Sequence, residues 1–151
     1  MLIYFLILVS VGIEGGYNTP AFGFNNIHSG TAFAIFCNRH YKLTDITYAL
    51  GTTFYAGDNP AYSLNAYGLR CCFSKNNWRF SPFLTCGVNY MNRKLHNAKE
   101  VGYGFNYGVG VLINFRSNNL RIYPGFYYEG ITDFDTHGGF IGVQLGIGYE
   151  I

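Results

Sequence analysis

The feature that most constrains this chain is a two-residue alternation sustained through its carboxyl half. From Val101 the odd positions read Val101, Tyr103, Phe105, Tyr107, Val109, Val111, Ile113 and Phe115, and the even positions read Gly102, Gly104, Asn106, Gly108, Gly110, Leu112 and Asn114. Ile141, Val143, Leu145, Ile147, Tyr149 and Ile151 alternate in the same way with Gly142, Gln144, Gly146, Gly148 and Glu150. A helix would scatter each set around its circumference, whereas successive side chains of a strand leave on opposite faces. These segments therefore read as strands with one aromatic and aliphatic face and one small or polar face.

Turn-forming residues bound further alternating stretches, and eight strands are expected near 9–18, 31–38, 42–56, 62–73, 80–91, 101–115, 120–131 and 139–151. The fifth sets Phe80, Pro82, Leu84, Cys86, Val88 and Tyr90 against Ser81, Phe83, Thr85, Gly87 and Asn89. The third sets Ile46, Tyr48, Leu50 and Phe54 against Asp45, Thr47, Ala49, Gly51 and Thr53. Asn38–Tyr41, Ser74–Arg79 and Arg116–Asn119 read as short turns, while Thr19–Gly30, Asn92–Glu100 and Thr132–Gly138 read as longer loops, with Gly57–Ala61 a short exception. An even strand number with short turns on one side and long loops on the other is the pattern of an eight-stranded antiparallel up-and-down transmembrane β-barrel, both chain ends lying on the short-turn side. The 151 residues suffice for one such domain.

Composition decides which solvent the apolar face meets. Charged residues make up 12% of the chain, about half the share in ordinary soluble domains, while aromatics reach 19% and glycines number 20. The longest apolar run, Met1 to Val9, is about half of what a helix needs to cross a bilayer, so a helical membrane protein is excluded. That run reads either as a signal-peptide remnant or as the start of the first strand. The absence of a G-X-Y period excludes collagen, and the abundance of Tyr, Phe and Ile argues against disorder. A net charge of +2 with no dense basic face argues against a nucleic-acid partner. A soluble lipocalin-like ligand-binding barrel would turn its apolar face inward. Here the apolar face suits lipid, with Tyr17, Tyr55, Tyr90, Tyr103 and Tyr128 expected in a girdle near the long-loop ends and Phe73, Trp78, Phe80, Phe115 and Tyr149 in one near the short turns. Arg at position 109 should then impair insertion, whereas Ser at position 108 should be tolerated far better.

The opposite face would line a lumen wide enough only for side chains. Thirteen glycines share its parity, among them Gly12, Gly51, Gly108 and Gly146, and leave room for a polar network of Glu14, Asp45, Arg70, Arg121, Glu129 and Glu150. If the turns set the register, Arg121 lies opposite Asn114 on one side and Glu150 on the other, and Arg70 comes within a diagonal step of Asp45. Such pairs make a plug; the alternatives are a narrow gated channel and a catalytic use of the carboxylates.

Over nearly its whole length the chain resembles the OmpA/OmpX-type outer-membrane β-barrel proteins. The resemblance is carried by Phe80-Ser-Pro-Phe-Leu-Thr-Cys-Gly87-Val-Asn-Tyr90, Gly102-Tyr-Gly-Phe-Asn-Tyr-Gly108-Val-Gly110 and Gly146-Ile-Gly-Tyr-Glu-Ile151. It implies a bacterial outer-membrane location and assembly by the barrel-assembly machinery, which reads a terminal strand that usually ends in Phe and here ends in Ile151. A monomer is expected, in contact with membrane lipid and lipopolysaccharide, with loops open to envelope or surface partners and no enzymatic activity.

Other chemistry is sparse. Arg93, Lys94 and Lys99 surround one loop and are candidates for contact with lipopolysaccharide phosphates. His28, His96 and His137 could meet at a rim, and His40 lies on the turn side, but no spacing among them fixes a metal. Some barrels of this size modify lipid A with a His and a Ser, an alternative for which His28-Ser29 is adjacent rather than spaced to one face. Cys37, Cys71, Cys72 and Cys86 have no zinc spacing and read as small hydrophobes. Gly102-x-Gly-x-x-x-Gly108 lies within a strand and lacks the helix that a phosphate loop requires, so no cofactor is expected.

Overall fold

In the computed structural model, residues 9–23, 27–41, 44–57, 62–75, 78–95, 98–132 and 137–151 are described, the backbone alone for 56–57, 62–72, 75, 93–95 and 98. Residues 1–8 lie outside the described part, so the alternative of a signal remnant stays with the sequence; Val9 already belongs to the first strand. The strands are β1 (Val9–Phe22), β2 (Ile27–His40), β3 (Thr44–Gly57), β4 (Tyr62–Lys75), β5 (Phe80–Leu95), β6 (Ala98–Ile113), β7 (Phe115–Ser117), β8 (Leu120–Thr132) and β9 (His137–Glu150).

Every pairing is antiparallel and, apart from closure, joins neighbours in the chain; β9 returns to β1, and β6 pairs with β8. The nine segments thus occupy eight positions of a closed barrel, with β7 continuing β6. Both keep one register against β8, with Leu112 opposite Gly125 and Phe115 opposite Ile122. The interruption falls beside Pro124, which has no N–H to give to the ladder. The amide of Asn114 turns instead to the carbonyl of Arg79, at 2.9 Å. The β7–β8 hairpin closes through Asn118 and Asn119; Asn118 takes φ 51°, a left-handed conformation that Asn tolerates better than most residues.

The strands outrun the expected ones. β1 extends to Phe22, β2 begins at Ile27, β5 reaches Leu95 and β6 begins at Ala98, so the contrast between short turns and long loops disappears. Polarity marked those segments as loops, yet in a closed barrel each backbone amide finds a neighbouring strand whatever its side chain, and the ladder continues past the apolar zone. Sidedness therefore rests on the chain ends, which meet where Ser10 pairs with Glu150.

Parity sorts the faces. Ile13, Ile35, Leu50, Leu84, Val88, Val109, Val143 and Leu145 are exposed on the outside, and of the expected girdle residues Tyr17, Tyr90, Tyr103, Phe73, Trp78, Phe80, Phe115 and Tyr149 are exposed there too, with Tyr128 half-buried. Tyr55 is a correction. It shares the parity of Asp45 and Ala49, is only 2% exposed, and stacks inside the barrel on Phe140 with ring centroids 4.4 Å apart. The lumen is also less polar than expected. Phe36, Phe83, Leu112, Tyr123 and Tyr127 form one apolar cluster inside the barrel, and Ile27, Tyr55, Met91, Ile131 and Phe140 form another.

Two register expectations are corrected as well. Arg121 stands opposite Gly148 rather than Glu150 in the β8–β9 ladder, and opposite Arg116 rather than Asn114 on the other side, because the β7–β8 hairpin closes through two residues and not four. Arg70 stands opposite Ala49, and Asp45 opposite Ser74, which puts Arg70 beyond a diagonal step from Asp45. Position 108 is corrected too: a Cβ on Gly108 would lie 2.5 Å from the carbonyl oxygen of Tyr128 and 2.9 Å from a methyl of Thr85. Glycine there permits close strand approach, and a Ser side chain would have to displace the Tyr128 backbone and Thr85.

Candidate functional site

The strand ends near the termini each send one polar side chain inward. Ser10 of β1, His40 of β2, Asp45 of β3, Arg121 of β8 and Glu150 of β9 converge there. His40 Nδ1 lies 2.9 Å from Asp45 Oδ1, and His40 Nε2 lies 3.2 Å from Ser10 Oγ and 3.8 Å from Glu150 Oε1. Arg121 bridges the two carboxylates, its Nη1 lying 3.7 Å from Asp45 Oδ2 and its Nε in contact with Glu150. From the rim, Arg116 Nη2 donates to Glu150 Oε2 at 2.7 Å. Carboxylates withdrawn from water need such compensation, and each of these has more than one partner.

Asp45, His40 and Ser10 stand in the order of a nucleophilic relay. Ser10, however, has no accessible surface, so an acyl carbon cannot approach Oγ. The trio acts as a cross-brace: it joins three strands at the point where the barrel closes.

Above this cluster the lumen is filled by Phe36 and Tyr123, which meet edge to face at 6.0 Å, together with Phe83, Leu112 and Tyr127. Next comes a small cavity of about 50 Å³ lined in part by Glu14, Thr53, Asn89, Asn106, Glu129 and Gln144. Asn106 Nδ2 donates to Glu129 Oε1 at 2.6 Å on its wall. At the far end Asn18 Nδ2 donates to the Tyr55 hydroxyl at 3.1 Å, and the Tyr127 hydroxyl donates to Asn18 Oδ1.

Of the expected network, Asp45, Arg121 and Glu150 are thus brought together, while Glu129 lies with Asn106 and Glu14 lines the cavity. The side chains of Arg70, Arg93 and Lys94 lie outside the described part, and Lys99 is exposed. His96 also lies outside it. His28 is exposed on β2, and His137 begins β9, where its Nε2 lies 3.1 Å from the Tyr107 hydroxyl and its ring 5.4 Å from that of Phe22. Among the described residues no three His, Cys, Asp or Glu side chains gather as a metal site requires.

Ser10, Arg116, Asn18 and Tyr127 are not candidates from sequence, Asn106 is placed only on the lumen face, and His40 only on the turn side. For His40 the signal was available: it continues the inward parity of Phe36 and Asn38, once Asn38–Tyr41 is read as strand rather than turn.

Toward the terminal end the apolar outside gives way to charge, and there Arg39 lies over the ring of Tyr41 at 5.3 Å. That is how a long cation withdraws from a lipid face toward its aqueous edge.

No family model matches the chain, and no curated protein does. Several solved structures share its architecture. The N-terminal β-barrel domain of Pseudomonas aeruginosa OprF superposes with a TM-score of 0.67 at 15% identity, covering 93% of this chain and 97% of that one. Neisserial surface protein A gives 0.56 at 13% identity over 92% and 96%. Ail, the attachment invasion locus protein of Yersinia pestis, gives 0.58 at 15% identity over 95% and 97%. The chain therefore has the fold of the eight-stranded outer-membrane barrels, and the aliphatic and aromatic belt around its outside is the surface that such a barrel turns to lipid.

Proposed function

We propose that this protein is an integral barrel of a bacterial outer membrane, with neither a conducting lumen nor an enzymatic activity, whose end remote from the termini is the working surface. The observation that carries the reading is the stacking of fillings along the lumen: an ion cluster at the terminal end, an apolar layer above it, and the Tyr55–Phe140 stack toward the other end. A water path would have to displace charge pairs at one level and close-packed rings at the next, and each is costly to disturb. The burial of Ser10 argues against catalysis by the one relay-like arrangement described.

The partner surface follows from the β5–β6 hairpin. Its register sets Lys94 directly opposite Lys99 and Arg93 opposite Glu100. Opposed like charges repel, and a bound anion relieves the repulsion. Lipopolysaccharide phosphate, abundant at that surface, is the proposed contact; Ail has been solved with the heparin analogue sucrose octasulfate. Passage through the barrel-assembly machinery and a monomeric state complete the reading. Single-channel recording in planar bilayers tests it: the filled lumen gives no reproducible conductance step, and a steady unitary conductance in the wild type that grows in Phe83→Ala or Tyr127→Ala refutes it in favour of a gated channel.

A further inference from the structure

Of the four cysteines, only two oppose each other across a strand pair. In the β4–β5 ladder Cys71 stands directly opposite Cys86, whereas Cys72 faces Thr47 and Thr85, and Cys37 faces Val11 and Tyr48. Directly opposed residues of an antiparallel pair have Cα atoms about 4.5–5.5 Å apart, inside the window of about 4.4–6.8 Å that a disulfide spans. Cys86 is exposed on the lipid face between Leu84 and Val88 and carries a free thiol in this structure. Lipid offers that thiol no hydrogen-bond acceptor, so a disulfide there forfeits none.

We propose that Cys71 and Cys86 are an oxidation site: the mature barrel carries a disulfide between them that pins β4 against β5. The proposal rests on the outer-membrane reading, because that route takes the chain through an oxidising compartment before it enters lipid. The oxidant is a soluble periplasmic protein disulfide. One cysteine thiolate attacks it, forming a mixed disulfide and expelling one carrier thiolate. The second cysteine thiolate then attacks the chain-side sulfur of that mixed disulfide and expels the second carrier thiolate. The chain gives up two electrons and two protons, and the carrier becomes a dithiol. Reaction before insertion keeps both thiols accessible to a water-soluble oxidant. Joining residues that lie opposite each other also fixes a register that the turn has to find by itself in the reduced chain.

The test is thiol counting and peptide mapping on protein isolated from membranes, acid-quenched and alkylated without reductant. The wild-type chain, with four cysteines, should take two labels, on Cys37 and Cys72, and yield a Cys71–Cys86 linked peptide that reductant separates. Cys71→Ser should take three labels. Four labels on the wild-type chain, or a linkage involving Cys37 or Cys72, overturns the proposal. Fractionation of the same culture separates this outcome from failure of the location: a chain absent from the outer membrane refutes the functional reading. In that event protein folded in detergent with oxidised glutathione still decides the pairing. A Cys71–Cys86 bond formed there supports it, and its absence overturns it.

Discussion

Removing Arg121 tests whether the ion cluster behaves as buried charge. Its side chain is 12% exposed and lies between carboxylates that are 8% and 4% exposed, Asp45 and Glu150. Taking away the bridging cation from such a pair costs about 3–5 kcal/mol, because the carboxylates stay desolvated with less compensation. Two partners soften the loss. His40 still contacts both carboxylates, and Arg116 still reaches Glu150, although at 57% exposure its contribution is screened. Arg121→Met is therefore expected near the lower end, about 3 kcal/mol, which lowers the folding equilibrium constant by about two orders of magnitude. Urea titration of the barrel in detergent micelles, followed by tyrosine and tryptophan fluorescence, reads this directly. The triple variant Arg121→Met, Asp45→Asn, Glu150→Gln removes the stranded charges along with the cation. It should return to within about 1–2 kcal/mol of the wild type. A single variant less than about 1 kcal/mol from the wild type would mean that the cluster is solvated like an ordinary surface pair. A triple variant no better than the single one would show that the loss came from packing and not from charge.

Val109 is 52% exposed on the outside, so Val109→Arg should slow or abolish insertion into lipid vesicles, at a cost of about 2–4 kcal/mol if it lies at the bilayer midplane; normal insertion would mean that the belt does not meet lipid. On the inside, Gly108→Ser should depress refolding yield, because the added Cβ meets the Tyr128 backbone, whereas Gly102→Ser should refold like the wild type, since a Cβ there meets nothing within 4 Å. Equal refolding of both variants refutes the close-approach argument.

The sequence by itself determined the architecture. A period of two is a property of the extended backbone, so the alternation from Val101 to Phe115 and from Ile141 to Ile151 specified both the strands and the face each residue takes. The same parity put Asp45, Arg121 and Glu150 inside, and it also held the correction to Tyr55, whose neighbours Asp45 and Ala49 already marked the inner face. What parity cannot give is position along the barrel axis. That depends on how many residues each hairpin spends at its turn, and a change of two moves a side chain to a new cross-strand partner without changing its face. The two-residue turn at Asn118–Asn119 put Arg116 opposite Arg121, the β8–β9 register put Gly148 on its other side, and the β3–β4 register carried Arg70 away from Asp45. Closure supplied the remainder. Glu150 lies on a strand far in the chain from those of Ser10 and His40, and it meets them because β9 pairs with β1 and β1 with β2. Local sequence carries no record of a contact made by joining the two ends of a sheet.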